Sequence, residues 1–344
     1  MSLSRTASLP NPLRFLLLVA ALLLPGLASA DTQDVTAASR SVVRVALVAT
    51  DGESAYFVWL NRGKESLVLD LASAQGKATL RDLIDGADVL VQNLKPGALG
   101  RLGFAPETLR QSHPRLICCS ISGYGDTGPL AERKAYDLLI QAESGLASIT
   151  GGPEAPARVG LSIVDIATGA TAHAAILEAL IARGITGSGA DIRVSMFDVM
   201  ADWLTVPLLH EEGGKPPRRI GLAHPSIAPY GVFATRDGRQ ILISIQSDRE
   251  WVMFCREFLG RAELAADEGL SRNVARVRNR ERTDAIVAAS FLAVDEAEAK
   301  EALLRAEVAF ASVNDMAALA VHPHLRRITV ETEAGPVSLP APAP

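Results

Sequence analysis

Asp165 lies in the segment Arg158-Val159-Gly160-Leu161-Ser162-Ile163-Val164-Asp165-Ile166-Ala167-Thr168-Gly169. A carboxylate between Ile163-Val164 and Ile166-Ala167, entering an Ala/Gly-rich helix, is expected to be substantially buried, and a buried charge is costly unless something offsets it. As a helix N-cap it would accept first-turn N–H bonds, the commoner role for this residue type. As a nucleophile it would be activated by partial desolvation, with those same N–H groups placed to stabilise an oxyanion. A second carboxylate, Asp137, opens the preceding helix in Lys134-Ala135-Tyr136-Asp137-Leu138-Leu139-Ile140-Gln141. Its two roles are to complement the helix dipole, or to serve as an acid/base or positioning group beside Asp165.

The loops Gln92-Asn93-Leu94-Lys95-Pro96-Gly97 and Ser122-Gly123-Tyr124-Gly125-Asp126-Thr127-Gly128-Pro129 each follow a strand pattern. Loops at the carboxyl ends of parallel strands are where α/β sheets bind ligands, and glycine permits close backbone approach. Gly123, Gly125 and Gly128 spell GxGxxG, but Asp126 would repel a pyrophosphate and no helix pattern starts inside the motif, so a plain turn is the better account. There is no GxSxG elbow, and the six histidines are scattered. Cys118, Cys119 and Cys255 have neither zinc nor CxxC spacing, so no metal is implied and small buried hydrophobes are expected. With 34 Lys plus Arg against 39 Asp plus Glu and a net charge of -5, no basic surplus exists to bind nucleic acid. Basic residues come in ones and twos, such as Arg62/Lys64 and Arg218/Arg219, which suits a small anion or solvated surface.

The elements that must position these groups follow from periodicity. A short helix from Ala78 to Gly86, a buried strand Asp88 to Asn93, a helix from Pro106 to about Ser112 and a strand Arg115 to Ile121 make parallel crossover units, hence an α/β fold with a Rossmann-like parallel sheet. Helical spacing recurs over Tyr136 to Ile149, Ile163 to Arg183 and Phe197 to His210, with a strand at Asp191 to Ser195. Glu211-Glu212-Gly213-Gly214-Lys215-Pro216-Pro217 breaks both periodicities and marks a domain boundary. Beyond it, a smaller α+β domain is expected: a hairpin around Asp237-Gly238, helices from Arg249 to about Ala320, and a strand pair Ile328 to Glu333 and Pro336 to Leu339.

At the amino terminus, Arg5 and Arg14 precede the apolar run Phe15 to Leu24, followed by Pro25-Gly26 and Ala28-Ser29-Ala30. This is the layout of a secretory signal peptide, and the run is too short to span a bilayer. The Pro/Ala tail from Leu339 to Pro344 is expected to be disordered.

Several segments occurring in order carry a resemblance. Asn61-Arg62-Gly63-Lys64, Leu69-Asp70-Leu71, Asp88-Val89-Leu90-Val91, Asn93-Leu94-Lys95-Pro96-Gly97 and Arg101-Leu102-Gly103 resemble the family III CoA-transferases (the CaiB/BaiF type). So do Ser122-Gly123-Tyr124-Gly125, Tyr136-Asp137 with Gln141, Ser144-Gly145, the Asp165 helix, and Pro229-Tyr230-Gly231-Val232-Phe233 with Asp237-Gly238. The resemblance implies that Asp165 is the nucleophile, forming a mixed anhydride and then an aspartyl-CoA thioester, with Asp137 beside it. It implies that Asn93, Leu94, Lys95, Arg101, Lys134 and Tyr136 contact or border coenzyme A. It also implies an acyl-CoA and a small carboxylic acid as substrates, no permanently bound cofactor, no membrane or nucleic-acid partner, an interlocked homodimer, and a cytoplasmic location, against the export that the signal-like segment would dictate. The related acyl-CoA racemases use a His-Asp pair where Tyr136-Asp137 stands, and tyrosine is a poor base near neutral pH, so transferase is preferred.

On that basis residues 1–30 are signal-like, 31–50 unmatched, 51–215 a large α/β CoA-binding and catalytic domain, 216–325 a small α+β domain, and 326–344 a partial return plus tail. Relative to the family both ends look incomplete. Three accounts follow: a cytoplasmic enzyme whose start is misassigned, a truncated relative of low or no activity, or an exported binding protein on the same scaffold.

Overall fold

The computed structural model describes residues 15–18, 48–49, 53–332 and 335–343; the rest of the signal-like segment and most of residues 31–50 lie outside these. The described residues fall into two compact units. The first holds those within 1–146, 158–214 and 329–339, the second 147–157, 215–328 and 340–343.

The first unit is built on a parallel sheet. Its strands are β1 (Phe15–Leu18), β4 (Val89–Gln92), β5 (Ile117–Ser122) and β6 (Asp191–Ser195), side by side in that order, while β2 (Val48–Ala49) and β3 (Glu53–Ser54) form a small antiparallel pair. Four residues of the signal-like apolar run thus add an edge strand, with Phe15 opposite Val89 and Leu18 opposite Gln92. One face buries Leu80, Ile84, Leu90, Leu99, Phe104, Leu109, Leu116 and Cys118. The other buries Val89, Ile117, Cys119, Ile140, Val164, Ala167, Ala172 and Ile176. Alternate strand residues go to opposite faces, which is why the adjacent Cys118 and Cys119 serve different cores.

The helix Ala74–Asp85 starts where Ser73 accepts a hydrogen bond from the Gly76 amide at 3.0 Å, and it buries Leu80 and Ile84 one turn apart. The helix Ile163–Thr186 covers the opposite face. Among the described residues it is the helix long and apolar enough to cross a bilayer, but Val164, Ala167, Thr168, Ala172 and Ile176 bury it against the sheet. It ends at Gly187, whose φ of 76° suits a left-handed cap. One turn earlier, buried Arg183 donates to Asp88 Oδ1 at 2.9 Å and to the Arg115 carbonyl at 3.0 Å. The helix C-terminus is thereby pinned where β4 and β5 begin. At ~1.5 Å per residue the helix outruns the strands and delivers its N-terminus, with Asp165, to their carboxyl edge.

Two long helices expected from periodicity are interrupted. Phe197 to His210 is instead Met196–Trp203 followed by Thr205–Glu212. Pro207 explains the break, since it has no N–H for the Trp203 carbonyl and its ring crowds that residue. Tyr136 to Ile149 is Asp137–Glu143 then Leu146–Ile149, broken at Gly145 with φ of 91°.

The second unit holds an antiparallel sheet of β7 (Tyr230–Ala234), β8 (Gln240–Ser244) and β9 (Ala309–Ser312), ordered β7-β8-β9. Its helices Asp248–Glu257, Arg280–Leu292 and Glu296–Arg305 close over Phe233, Ile241, Ile243, Trp251, Phe254, Val287, Phe291 and Leu303. The strand β9 falls in a stretch whose spacing predicts continued helix. Of its Ala-Phe-Ala-Ser residues only Phe310 favours a strand, and pairing with β8 places it. The hairpin β10 (Arg327–Thr332) and β11 (Gly335–Pro340) closes the described chain. Leu339 and Pro340 therefore belong to a strand, and the Ala341 amide bonds the Arg326 carbonyl at 2.8 Å, so the start of the Pro/Ala tail is paired rather than disordered.

Candidate active site

The site grows from the carboxyl edge of the parallel sheet. After β4 comes the Asn93–Gly97 loop, in which the Leu94 amide donates to Gln92 Oε1 at 2.7 Å. Leu94 itself is half-buried against the Leu90 and Leu99 cluster, which leaves mainly its backbone for a ligand. Gly97, at φ of 72°, starts the short helix Ala98–Arg101, and Asn93, Lys95 and Arg101 are exposed. Lys95 Nζ pairs with Glu132 Oε2 at 3.1 Å, joining this loop to the segment that leads into Tyr136. After β5 the glycine loop folds as a turn: the Gly125 amide donates to Ser122 Oγ at 3.0 Å, and Gly125 and Gly128 have φ of 84° and 96°. Asp126 is held by Arg193, at 3.0 Å. A Cβ at Gly123 would stand 2.2 Å from that of Ala135, so this glycine lets the Lys134–Tyr136 segment lie against the loop.

Lys134 is exposed, Tyr136 is 37% exposed, and Tyr136 occupies the N-cap position of the helix Asp137–Glu143. Asp137 Oδ1 accepts from the amides of Val164 at 2.8 Å and Asp165 at 3.3 Å. Its Oδ2 accepts from Gln141 Nε2 at 2.7 Å, and Gln141 Oε1 accepts from the Val159 amide at 2.9 Å. The two carboxylates singled out by sequence are thus neighbours; Tyr136 directly precedes Asp137, and Lys95 is tied to the segment leading into it through Glu132.

Three expectations are corrected. Asp165 is not the helix cap: Ser162 stands at the N-cap without a side-chain bond, and Asp137, 28 positions before Asp165, does the capping. Asp165 is not buried either, because the apolar stripe of its helix points Val164, Ala167 and Thr168 inward and turns positions 165, 166 and 169 outward. Finally, the first-turn amides are already engaged: Ile163 bonds the Leu161 carbonyl at 2.9 Å, Ile166 bonds the Ser162 carbonyl at 3.0 Å, and Val164 and Asp165 bond Asp137. This helix end offers no free N–H pair for an oxyanion.

Though its outer surface meets solvent, Asp165 has protein on its other sides, and its pKa is raised to about 6, first by this desolvation and then by the Asp137 charge. Near neutral pH it is an ionised carboxylate of unusual basicity, the protonation state and reactivity wanted in an oxygen nucleophile. Burial pushes the thiols up, Cys118 and Cys255 to about 12 and Cys119 to about 11, which keeps them unreactive. Among the described residues no His, Cys, Asp and Glu group is arranged to hold a metal. Arg62 and Lys64 line a separate cleft of about 520 Å³ with Phe57, Asn61 and Glu331. Gln141 is the residue to which the sequence reading assigns no role; its place four positions after Asp137, on the same helix face, is the signal that could have done so.

The family described as CoA-transferase family III matches residues 35–340, beginning upstream of the motifs that start at Asn61. The acetyl-CoA:oxalate CoA-transferase of Acetobacter aceti is 37% identical over 291 residues, covering 84% of this chain and 74% of that protein. The succinate–glutarate CoA-transferase of Agrobacterium fabrum is 35% identical over 298 residues, covering 84% and 74%. An acyl-CoA transferase of Fusarium pseudograminearum is 38% identical over 274 residues, and the chain spans 59% of its length. A crystal structure of a CaiB/BaiF family protein from Brucella suis superposes with a TM-score of 0.71 at 34% identity, over 84% of this chain and 78% of that one. The site therefore sits on a fold shared with these proteins, and the chain belongs to CoA-transferase family III.

Proposed function

We propose that this protein moves coenzyme A from an acyl-CoA donor to a carboxylic acid acceptor through an aspartyl-CoA thioester on Asp165. The observation that carries the reading is a carboxylate of raised basicity, open to solvent on a helix end anchored by a second carboxylate, Asp137. An Asp165 oxygen attacks the thioester carbonyl and the C–S bond breaks, giving a mixed anhydride and CoA thiolate. The thiolate then attacks the Asp165 carbonyl carbon, expelling the donor acid and leaving Asp165 as the CoA thioester. The acceptor carboxylate reverses both steps. No electron is gained or lost overall, so the steps need no redox partner, and covalent catalysis divides one difficult exchange into two activated ones.

In this reading Lys95 and Arg101, both exposed, meet the phosphates of coenzyme A, and Asn93, the Leu94 backbone, Lys134 and Tyr136 contact the rest of it. Related proteins named for oxalate, glutarate and succinate support a short dicarboxylate acceptor. A homodimer is supported by the outward apolar face of the helix Ile163–Thr186, where Ile166, Leu177, Ile181 and Ile185 are exposed. The test is to incubate the purified protein with labelled acyl-CoA and hydroxylamine and to digest it. A hydroxamate on the Asp165 peptide is expected; folded protein that acquires none would refute the covalent route.

A further inference from the structure

We propose that Gln141 is a positioning residue for the nucleophile, locking the Asp137 carboxylate against the first turn of the Asp165 helix and tying it to the incoming chain at Val159. The inference rests on the reading of Asp165 as the nucleophile.

Gln141 is 0% exposed, so its amide has no access to water and its polar atoms depend on protein partners. Those partners leave the amide orientation unambiguous. The Val159 N–H can only donate and the Asp137 carboxylate receives donors, so Oε1 faces the former at 2.9 Å and Nε2 the latter at 2.7 Å. Asp137 is consequently held at both oxygens, Oδ2 by Gln141 and Oδ1 by the amides of Val164 and Asp165. Turning the carboxylate away would strand a buried NH2 group as well as the helix end. Val159 lies just before that helix, so a single side chain fixes the entering backbone and the capping carboxylate together.

The mechanical link has a chemical consequence. Asp137 is the charged group that acts on Asp165 from the helix beside it. When an Asp165 oxygen bonds to an acyl carbon its negative charge is lost, and the repulsion from Asp137 is relieved. A carboxylate held in this place thus favours attack over the resting state, whereas one free to swing away does not.

Two variants test this. Gln141→Met keeps the volume and removes the amide; Gln141→Glu keeps an acceptor for Val159 and sets a second carboxyl against Asp137. Both are expected to lower kcat by roughly tenfold or more with KM for acyl-CoA within about twofold of wild type. In an Asp137→Asn background, Gln141→Met should add less than about twofold, since it acts through Asp137. An equal loss in both backgrounds, or a rise in KM at unchanged kcat, would overturn the proposal. A readout independent of activity is the carboxyl 13C titration of Asp165, assigned with Asp165→Asn. Its midpoint should fall in folded Gln141→Met, and an unmoved midpoint would overturn the positioning role. Wild-type protein that shows no transfer would refute the function alone, with the titration still deciding the role of Gln141.

Discussion

The carboxylate of Asp137 accepts a hydrogen bond from the backbone amide of Val164 at 2.8 Å, so a side chain of one helix caps the first turn of another. The local N-cap, Ser162, contributes no side-chain bond, which makes this borrowed cap the first turn's side-chain anchor. Asp137→Ala should therefore destabilise the protein by about 0.5–2 kcal/mol for the lost cap, with the stranded buried amide of Gln141 adding to that. Asp137→Asn, which keeps an acceptor oxygen, should lose less. Urea denaturation at neutral pH compares the two, and an alanine variant as stable as wild type would contradict the capping role.

Exchange should depend on the Asp165 carboxylate absolutely. Asp165→Asn removes the nucleophile while preserving shape, and CoA exchange between succinyl-CoA and a dicarboxylic acid should fall by roughly a thousandfold or more. In the wild type, kcat should decline as pH drops through about 6, where Asp165 gains its proton. Measurable wild-type exchange rates in Asp165→Asn, with circular dichroism showing a folded protein, would rule the residue out.

The same raised pKa carries a stability consequence of definite sign. A carboxyl whose folded pKa is about 6 against an ordinary 3.8 binds its proton more tightly folded than unfolded. Folding bears no penalty from this group below 3.8, and the penalty grows as pH rises through about 6. Asp165→Asn should thus melt higher than wild type at pH 8, by roughly 1–3 °C once solvent screening of an exposed group is allowed for, and the gap should close in acid. Melting curves at several pH values measure this, and a gap that widens toward acid would contradict it.

Lys95 is engaged by Glu132 across an exposed pair at 3.1 Å. Such pairs contribute about 0–1 kcal/mol, so Lys95→Ala should scarcely alter stability. It should raise KM for acyl-CoA several-fold, an effect that shrinks at high salt. Glu132→Gln, by releasing the ammonium, should lower that KM. Initial-rate kinetics in both variants decide, and a Glu132→Gln enzyme with a raised KM would argue against phosphate binding by Lys95.

Much of the fold was legible in the sequence because its signals are local. The run Val89-Leu90-Val91 is a buried strand by composition, and the glycines after β5 mark a turn whatever surrounds them. Where the local signal is weak, or masked by a stronger one, sequence and structure part. Pro207 was hidden in an apolar periodicity and splits a helix in two; Ala309–Ser312 has only Phe310 to favour a strand and depends on β8 for its conformation.

By itself, then, the sequence determined that a carboxylate begins an Ala/Gly-rich helix, that another begins the helix before it, and that a loop with Lys95 follows a parallel strand, with Arg101 just beyond it. Tertiary structure alone decided that Asp137 caps the Asp165 helix, that Asp165 faces outward, that Glu132 occupies Lys95, and that Gln141 holds Asp137. Periodicity records which residues share a face of one element. Which face meets which neighbour, and which donor finds which acceptor across many residues of chain, is set only when the packed sheet and helices bring distant segments within hydrogen-bond reach.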